Sequence, residues 1–349
     1  MGLSPEFKKF LRERIPTSLE AEARADVVFV DAMCVLHSFM GGSADTLVNR
    51  IIDAGAPLVN QGGTLVVVFD RQSTSPVQKH KTQQKRRRVV HDWSIEELSH
   101  LLDTRELPNG EGWMDLLACR DVRYHVVDFL TREIFARLGL MASVEQLIIH
   151  NGRREGPAQM MRRGAPLVEA PPEFPTHGEA DVAIPAIARF LGMESVTVVT
   201  VDTDLIPLMM VHGGPKCSVA LMHADQRHRI CVDVNVLSTE LQKKPYGLSR
   251  SDFVIVAASK GTDFSPKCYS RLPDWHETLL SAGSTLKAAP SPLLDATTNE
   301  LSRAAFNRMV RGVVQVAGVG KKRGPETVRL SENDLLNIEF VTKYWLQLL

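Results

Sequence analysis

Seven carboxylates in this chain stand where chemistry would need them. Glu179 and Asp181 open an apolar helical run at Gly178-Glu179-Ala180-Asp181, and Asp202 and Asp204 close the β-branched run VTVVTVDTD. Two earlier apolar runs, VVFVD and TLVVVFD, end in Asp31 and Asp70, and Asp263 follows a helical run in KGTDF. Two carboxylates about 4 Å apart repel by roughly 4 kcal/mol at an effective dielectric of about 20. Such a set therefore needs cations or raised pKa values to coexist. Carboxylate-rich, all-oxygen sites suit Mg²⁺, Mn²⁺ or Ca²⁺ rather than zinc. Two such ions can activate a water and stabilise the leaving oxygen of a phosphodiester. Taken singly, each Asp serves equally well as a helix cap or a turn residue; the ordered set points to a metal centre.

The elements that must position these acids read as α/β. The spacing predicts a short helix over 5–15, a buried strand from Asp26 to Asp31 and a helix from Ala44 to Val59 closed by Gln61-Gly62-Gly63. A second buried strand runs from Thr64 to Phe69. Near-continuous apolar strands joined by helices mark a parallel sheet, and in such sheets ligands bind outside the carboxyl ends of the strands. After Asp70 comes KHKTQQKRRR, Lys79 to Arg88, with six Lys or Arg in ten residues. Helical runs are expected over 95–102 and 113–138, a strand over Val144–Ile149, and a basic, proline-rich loop over 151–177. Helix 179–191, strand 196–201, helix 203–211, a strand pair at 217–222 and 228–234, and helix 249–260 follow. The domain reading is a core over 1–285 with a long insertion at 90–177, then a helical extension over 286–349.

The chain has 349 residues, 44% of them hydrophobic, and equal numbers of basic and acidic side chains. That supplies a large core and no overall charge to attract nucleic acid, so any such attraction is local. Five cysteines without CxxC spacing fit a reducing compartment. No apolar run reaches the ~20 residues needed to span a bilayer, and the charged start MGLSPEFKKFLRER lacks the apolar core of a signal peptide. The expected location is intracellular, nuclear if the cell is eukaryotic, with no membrane partner.

The ordered acids resemble those of the flap endonuclease/XPG-type structure-specific nucleases, which are built on a PIN-like domain. The matching pieces are MGL, VVFVDAMCVLHSFM, LVVVFD followed by a basic run, GEAD, VTVDTDLIPL and SKGTDF, covering roughly 1–90 and 176–265. The resemblance implies a PIN-like central, mostly parallel sheet flanked by helices. It implies two Mg²⁺ or Mn²⁺ ions, one held by Asp31, Asp70, Glu179 and Asp181, the other by Asp202, Asp204 and Asp263, with Asp181 close to both. It also implies a Lys and an Arg two helical turns apart on the scissile phosphate, a separation that Lys79 and Arg86 have and that Lys81 and Arg88 share. Further nucleic-acid contacts are expected from Gly2, His37, Lys81, Lys85, Arg87 and Arg88. His37 takes the place of a base-stacking Tyr in the family, and Trp93 is a second stacking candidate near the site. The family's hairpin after the last acid is absent: SPKCYSRLPDW follows Asp263, and GVGKK stands only at 318–322.

The expected function is a divalent-metal-dependent 5′ nuclease acting on branched or 5′-ended DNA in replication or repair. An RNA endonuclease of the same fold, of the host-shutoff type, is the alternative that the absent hairpin favours. A scaffold in a ribonucleoprotein is the reading that loss of acids would mark, and no acid is lost. His212, Cys217, His223, His228 and Cys231 are soft-metal donors within twenty residues, but their spacing matches no compact zinc pattern.

Overall fold

The structure, a computed structural model, describes residues 5–71, 93–222, 229–259, 274–287 and Ala305. It divides into two compact units. One gathers residues up to 20, 202–213 and the chain from Val232; the other holds 21–201 and 214–231. Of the expected site residues, Gly2, Lys79, Lys81, Lys85, Arg86, Arg87, Arg88 and Asp263 lie outside the described residues, as does most of the 286–349 extension.

The strands, in chain order, are β1 (Leu19–Glu20), β2 (Ala25–Asp31), β3 (Gly42–Ser43), β4 (Val59–Val68), β5 (Glu106–Leu107), β6 (Val144–His150), β7 (Gln159–Arg162), β8 (Val168–Glu169), β9 (Ser195–Thr200), β10 (Lys216–Met222) and β11 (Arg229–Asp233). The sheet of the second unit runs β10-β9-β2-β4-β6-β7-β8, with β11 beside β10. The pairs β10·β9, β9·β2, β2·β4 and β4·β6 are parallel, and β6·β7 and β7·β8 are antiparallel. The expected α/β architecture, a mostly parallel central sheet flanked by helices, is therefore present. Its central strands are buried on both faces: Val28, Phe29, Val30, Leu65, Val66, Val67, Ile148 and Ile149 have no exposed surface. Such strands must read as unbroken apolar runs.

The helix Ala44–Gly55 shows why the flanking layer forms. Ser43 caps it by accepting the Thr46 N–H, and Leu47, Val48 and Ile51 fall on one buried face. Its last residue, Gly55, lies against Val30 and Leu65 so closely that a methyl group there would overlap both side chains.

Three expectations need correction. Gln61-Gly62-Gly63 does not close that helix. The helix stops at Gly55, Pro57 sits in a 3₁₀ turn, and the glycines lie inside β4, where the register against β6 shifts between Gly63 and Thr64. Glycine in a strand often marks such an irregularity. The stretch 113–138 is two helices, Gly110–Ala118 and Arg120–Ala136, broken at the extended residue Cys119. The loop expected over 151–177 contains β7 and β8, and the stretch 90–177 also supplies β6 next to β4.

The first unit is helical. Phe7 of the helix Pro5–Arg14 packs on Trp275 of the helix Trp275–Lys287 with ring centroids 4.7 Å apart, and on Phe253 of the helix Arg250–Ser259 at 6.1 Å. Arg250 ties three helices together. It donates to the Met210 carbonyl oxygen at 3.2 Å, the Ser238 hydroxyl at 3.0 Å and the Asn235 side-chain oxygen at 2.9 Å. Gly283 faces the Tyr246 backbone, where a methyl would be driven into the carbonyl oxygen.

Candidate active site

Parallel pairing puts the ends of β2, β4, β6 and β9 on one edge. Asp31 pairs with Val68, Val68 with His150, and Val30 with Val199. Asp31 thus ends β2 in register with the end of β4, and Asp70 lies two residues beyond that end. Both expected strand-end acids come to the edge where an open α/β sheet binds ligands.

The next connection was not legible in the sequence. The Ala180 N–H donates to Asp70 Oδ1 at 2.8 Å, and the Arg71 N–H donates to the Gly178 carbonyl oxygen at 2.5 Å. These bonds fasten the start of the helix Ala180–Leu191, flanked by Glu179 and Asp181, to the end of β4. Both acids are buried. Asn151 completes the clamp. Its Nδ2 donates to the carbonyl oxygens of Phe69 at 2.9 Å, His177 at 3.0 Å and Gly178 at 3.2 Å. It sits just past β6 with φ 56°, in the left-handed region that Asn tolerates better than most residues.

His150 supports the same loop. Its Nε2 donates to the His177 carbonyl oxygen at 2.8 Å. Burial pushes its pKa down to about 4, with the Arg71 charge adding to the fall and the His177 carbonyl opposing it. The imidazole is neutral at pH 7. Burial lowers His177 as well.

Asp31 is held from three directions. The Cys34 thiol donates to Oδ2 at 2.7 Å, the Thr200 hydroxyl donates to the same oxygen at 3.0 Å, and the Cys34 backbone N–H donates to Oδ1 at 3.3 Å. That last bond makes Asp31 the N-cap of the helix Ala32–Ser38. Burial, and then the Asp31 charge, push the Cys34 thiol well up, so it stays a donor. Cys34, Thr200, Asn151 and His150 are absent from the sequence reading. The one available signal was the spacing Asp31-x-x-Cys34 at a helix start.

Within the first unit, Asp202 Oδ1 accepts the Asp204 N–H at 2.9 Å, and Asp204 is the buried N-cap residue of the helix Leu205–His212. His37 is exposed at the last turn of the helix that Asp31 starts, about 9 Å along its axis at 1.5 Å per residue. Trp93 is half-buried against the hydrophobic core, and so is not held out as a stacking platform. The basic residues of 153–163 are mostly committed within the fold. Arg153 pairs with Glu169, Arg154 pairs with Asp121, and Arg163 donates to the carbonyl oxygens of Met141 and Val144; Arg162 is exposed.

Among the described residues, no group of three or more His, Cys, Asp or Glu is arranged to hold a metal ion. The carboxylates at the sheet edge are hard oxygen donors, the type that divalent cations such as Mg²⁺ take. Cys217 and Cys231 are buried in β10 and β11. No helix among the described residues is long and apolar enough to cross a membrane. No family model matches the chain, and a search of curated proteins found no match.

Proposed function

We propose that this chain is a divalent-metal-dependent phosphodiester hydrolase of the PIN-like, flap endonuclease type, acting on branched or 5′-ended DNA. The observation that carries the reading is the hydrogen bond from Ala180 N–H to Asp70 Oδ1. It fastens Glu179 and Asp181 to a strand end one strand away from Asp31, across 110 positions of sequence. A capping role alone asks for one carboxylate per helix start. It leaves unexplained why two further buried acids flank the start that Asp70 holds.

On this reading Asp31, Asp70, Glu179 and Asp181 hold one Mg²⁺ or Mn²⁺ ion, and the resemblance assigns a second to Asp202, Asp204 and Asp263. When bound, the ions supply a nucleophilic water at neutral pH and neutralise charge on the leaving oxygen. The chain's own residues orient the carboxylates: Ala180 N–H fixes Asp70, and Cys34 and Thr200 fix Asp31. Lys79 and Arg86 serve as electrostatic partners for the phosphate.

The test uses purified full-length protein with Mg²⁺ or Mn²⁺ on 5′-flap DNA, duplex DNA and single-stranded RNA, beside Asp70→Asn. The amide oxygen introduced by this substitution still accepts the Ala180 N–H, so the variant removes charge and keeps the tether. Wild-type protein is expected to cut flap DNA. D70N is expected to lose roughly a hundredfold or more, the scale on which losing one electrostatic stabiliser acts. Cleavage of RNA alone overturns the DNA assignment. No cleavage of any substrate with either ion, or full activity in D70N, overturns the nuclease reading.

A further inference from the structure

Arg71 follows Asp70 at the edge where the parallel strands end, and it is paired with no acid among the described residues. Its backbone N–H reaches the Gly178 carbonyl oxygen, while its side chain turns to the loop after β6. There Nη2 donates to the carbonyl oxygens of Arg153 and Gly156, both at 3.1 Å. These acceptors are neutral, so they fix the guanidinium and leave its charge uncompensated. A guanidinium carries five N–H donors. The two on Nη2 are used, Nε is buried without an acceptor, and Nη1 is neither bonded by the protein nor buried. The other two arginines of this region differ, since Arg153 pairs with Glu169 and Arg154 with Asp121. The Arg71 charge is also felt inside the fold, where it helps to keep the buried His150 imidazole neutral.

Holding two carbonyl oxygens does not require a cation. An amide does the same work a few residues away, where Asn151 Nδ2 donates to the carbonyl oxygens of Phe69, His177 and Gly178. Keeping a half-buried charge without a counter-charge is costly, so the charge itself calls for an explanation. Ligands enter an open α/β sheet at this edge, and the planar guanidinium is the side chain best matched to phosphate oxygens. We propose that Arg71 is a phosphate contact, donating through Nη1 to a non-bridging oxygen of a nucleic-acid backbone that crosses the sheet edge beside Asp70. The proposal rests on the nucleic-acid substrate of the reading above and adds a residue that holds it; it involves no metal ion.

The experiment measures binding of fluorescein-labelled 5′-flap DNA by anisotropy over a series of KCl concentrations, in EDTA so that nothing is cut. It compares full-length wild-type protein with Arg71→Gln and Arg71→Lys, with the unfolding temperature of each as a fold control. The log–log slope of affinity against salt counts the phosphates that the protein neutralises, at about 0.7–0.9 per contact. R71Q is expected to lower the slope by one such contact and R71K to keep the wild-type slope. A residue that only tied down the loop would shift the unfolding temperature and leave the slope alone. A folded R71Q with the wild-type slope overturns the proposal. Should R71Q not fold, phenylglyoxal labelling of the wild-type protein decides. Arg71 is expected to react in the free protein and to be protected by flap DNA; equal labelling with and without DNA overturns the proposal. Cleavage by wild-type protein in Mg²⁺, alongside an unchanged R71Q slope, leaves the nuclease reading standing and removes only the Arg71 contact. A wild type that binds no flap DNA overturns the contact and the DNA substrate together.

Discussion

Replacing Asn151 by Ala tests whether the clamp behind the acids is built as described. Asn151 is buried and supplies two N–H donors to three carbonyl oxygens, on Phe69, His177 and Gly178. Losing two hydrogen bonds costs about 2 kcal/mol at a net value of about 1 kcal/mol each. The backbone adds a second effect. At φ 56° an alanine carries a left-handed penalty of roughly 1 kcal/mol that asparagine partly relieves and glycine lacks. N151A should therefore lose about 3 kcal/mol, and N151G about 2 kcal/mol, although glycine is ordinarily the more destabilising replacement. The assay is urea unfolding followed by circular dichroism, comparing midpoints at equal slopes. The order wild type, N151G, N151A is the signature. N151A within about 0.5 kcal/mol of wild type, the range of an ordinary surface change, or N151G below N151A, refutes the reasoning. Mn²⁺ binding should weaken in both variants, because the loop carrying Gly178 and Glu179 loses one of its ties to the end of β4 while the Ala180–Asp70 and Arg71–Gly178 bonds remain.

Three further outcomes are expected. Folded His150 takes up a proton only near pH 4, whereas the unfolded chain does so near 6.5. Between those values the unfolded state binds more protons, so stability is lost as the pH is lowered from about 6.5 to about 4, by about 3 kcal/mol in all. In H150Q, unfolding curves at pH 7 and pH 4.5 should show a correspondingly shallower loss than in wild type; an identical pH dependence contradicts the assignment. Replacing Lys79, Lys81, Arg86 and Arg88 by Ala should lower the log–log salt slope of DNA binding by about 0.7–0.9 per lost phosphate contact; an unchanged slope means they touch no phosphate. Gly283→Ala should cost about 3 kcal/mol or more, as steric overlap with backbone does, read as a drop in unfolding temperature; a drop under about 2 °C contradicts the close approach of Tyr246.

What the sequence disclosed depended on how each residue is held. VVFVD, TLVVVFD and VTVVT announced their strands because both faces of a parallel sheet are buried, so apolar residues run on without alternation. The position of Asp31 followed because it is the last residue of β2, and that of Asp70 because it lies only two residues beyond the end of β4. Gly62 and Gly63 misled because glycine after a helical run signals a cap and equally marks an irregular strand. The strands β7 and β8 were hidden by their brevity and by the basic and proline residues around them. Asn151 and Thr200 were hidden for another reason. Their partners lie 82 positions away at Phe69, for Asn151, and 169 positions apart for Thr200 and Asp31. No local pattern encodes a hydrogen bond of that span.

The antiparallel side of the sheet carries a consequence for self-association. It ends in β8, only two residues long, after Pro166 and shortly before Pro171 and Pro172. An exposed strand edge is a template on which another chain can extend the sheet, and short strands and prolines blunt it. Proline has no N–H to offer, so a second copy approaching this margin meets little more than Val168 and Glu169. The protein can hold a long stack of apolar strands within one sheet while leaving, at this margin, almost nothing for a neighbouring molecule to continue.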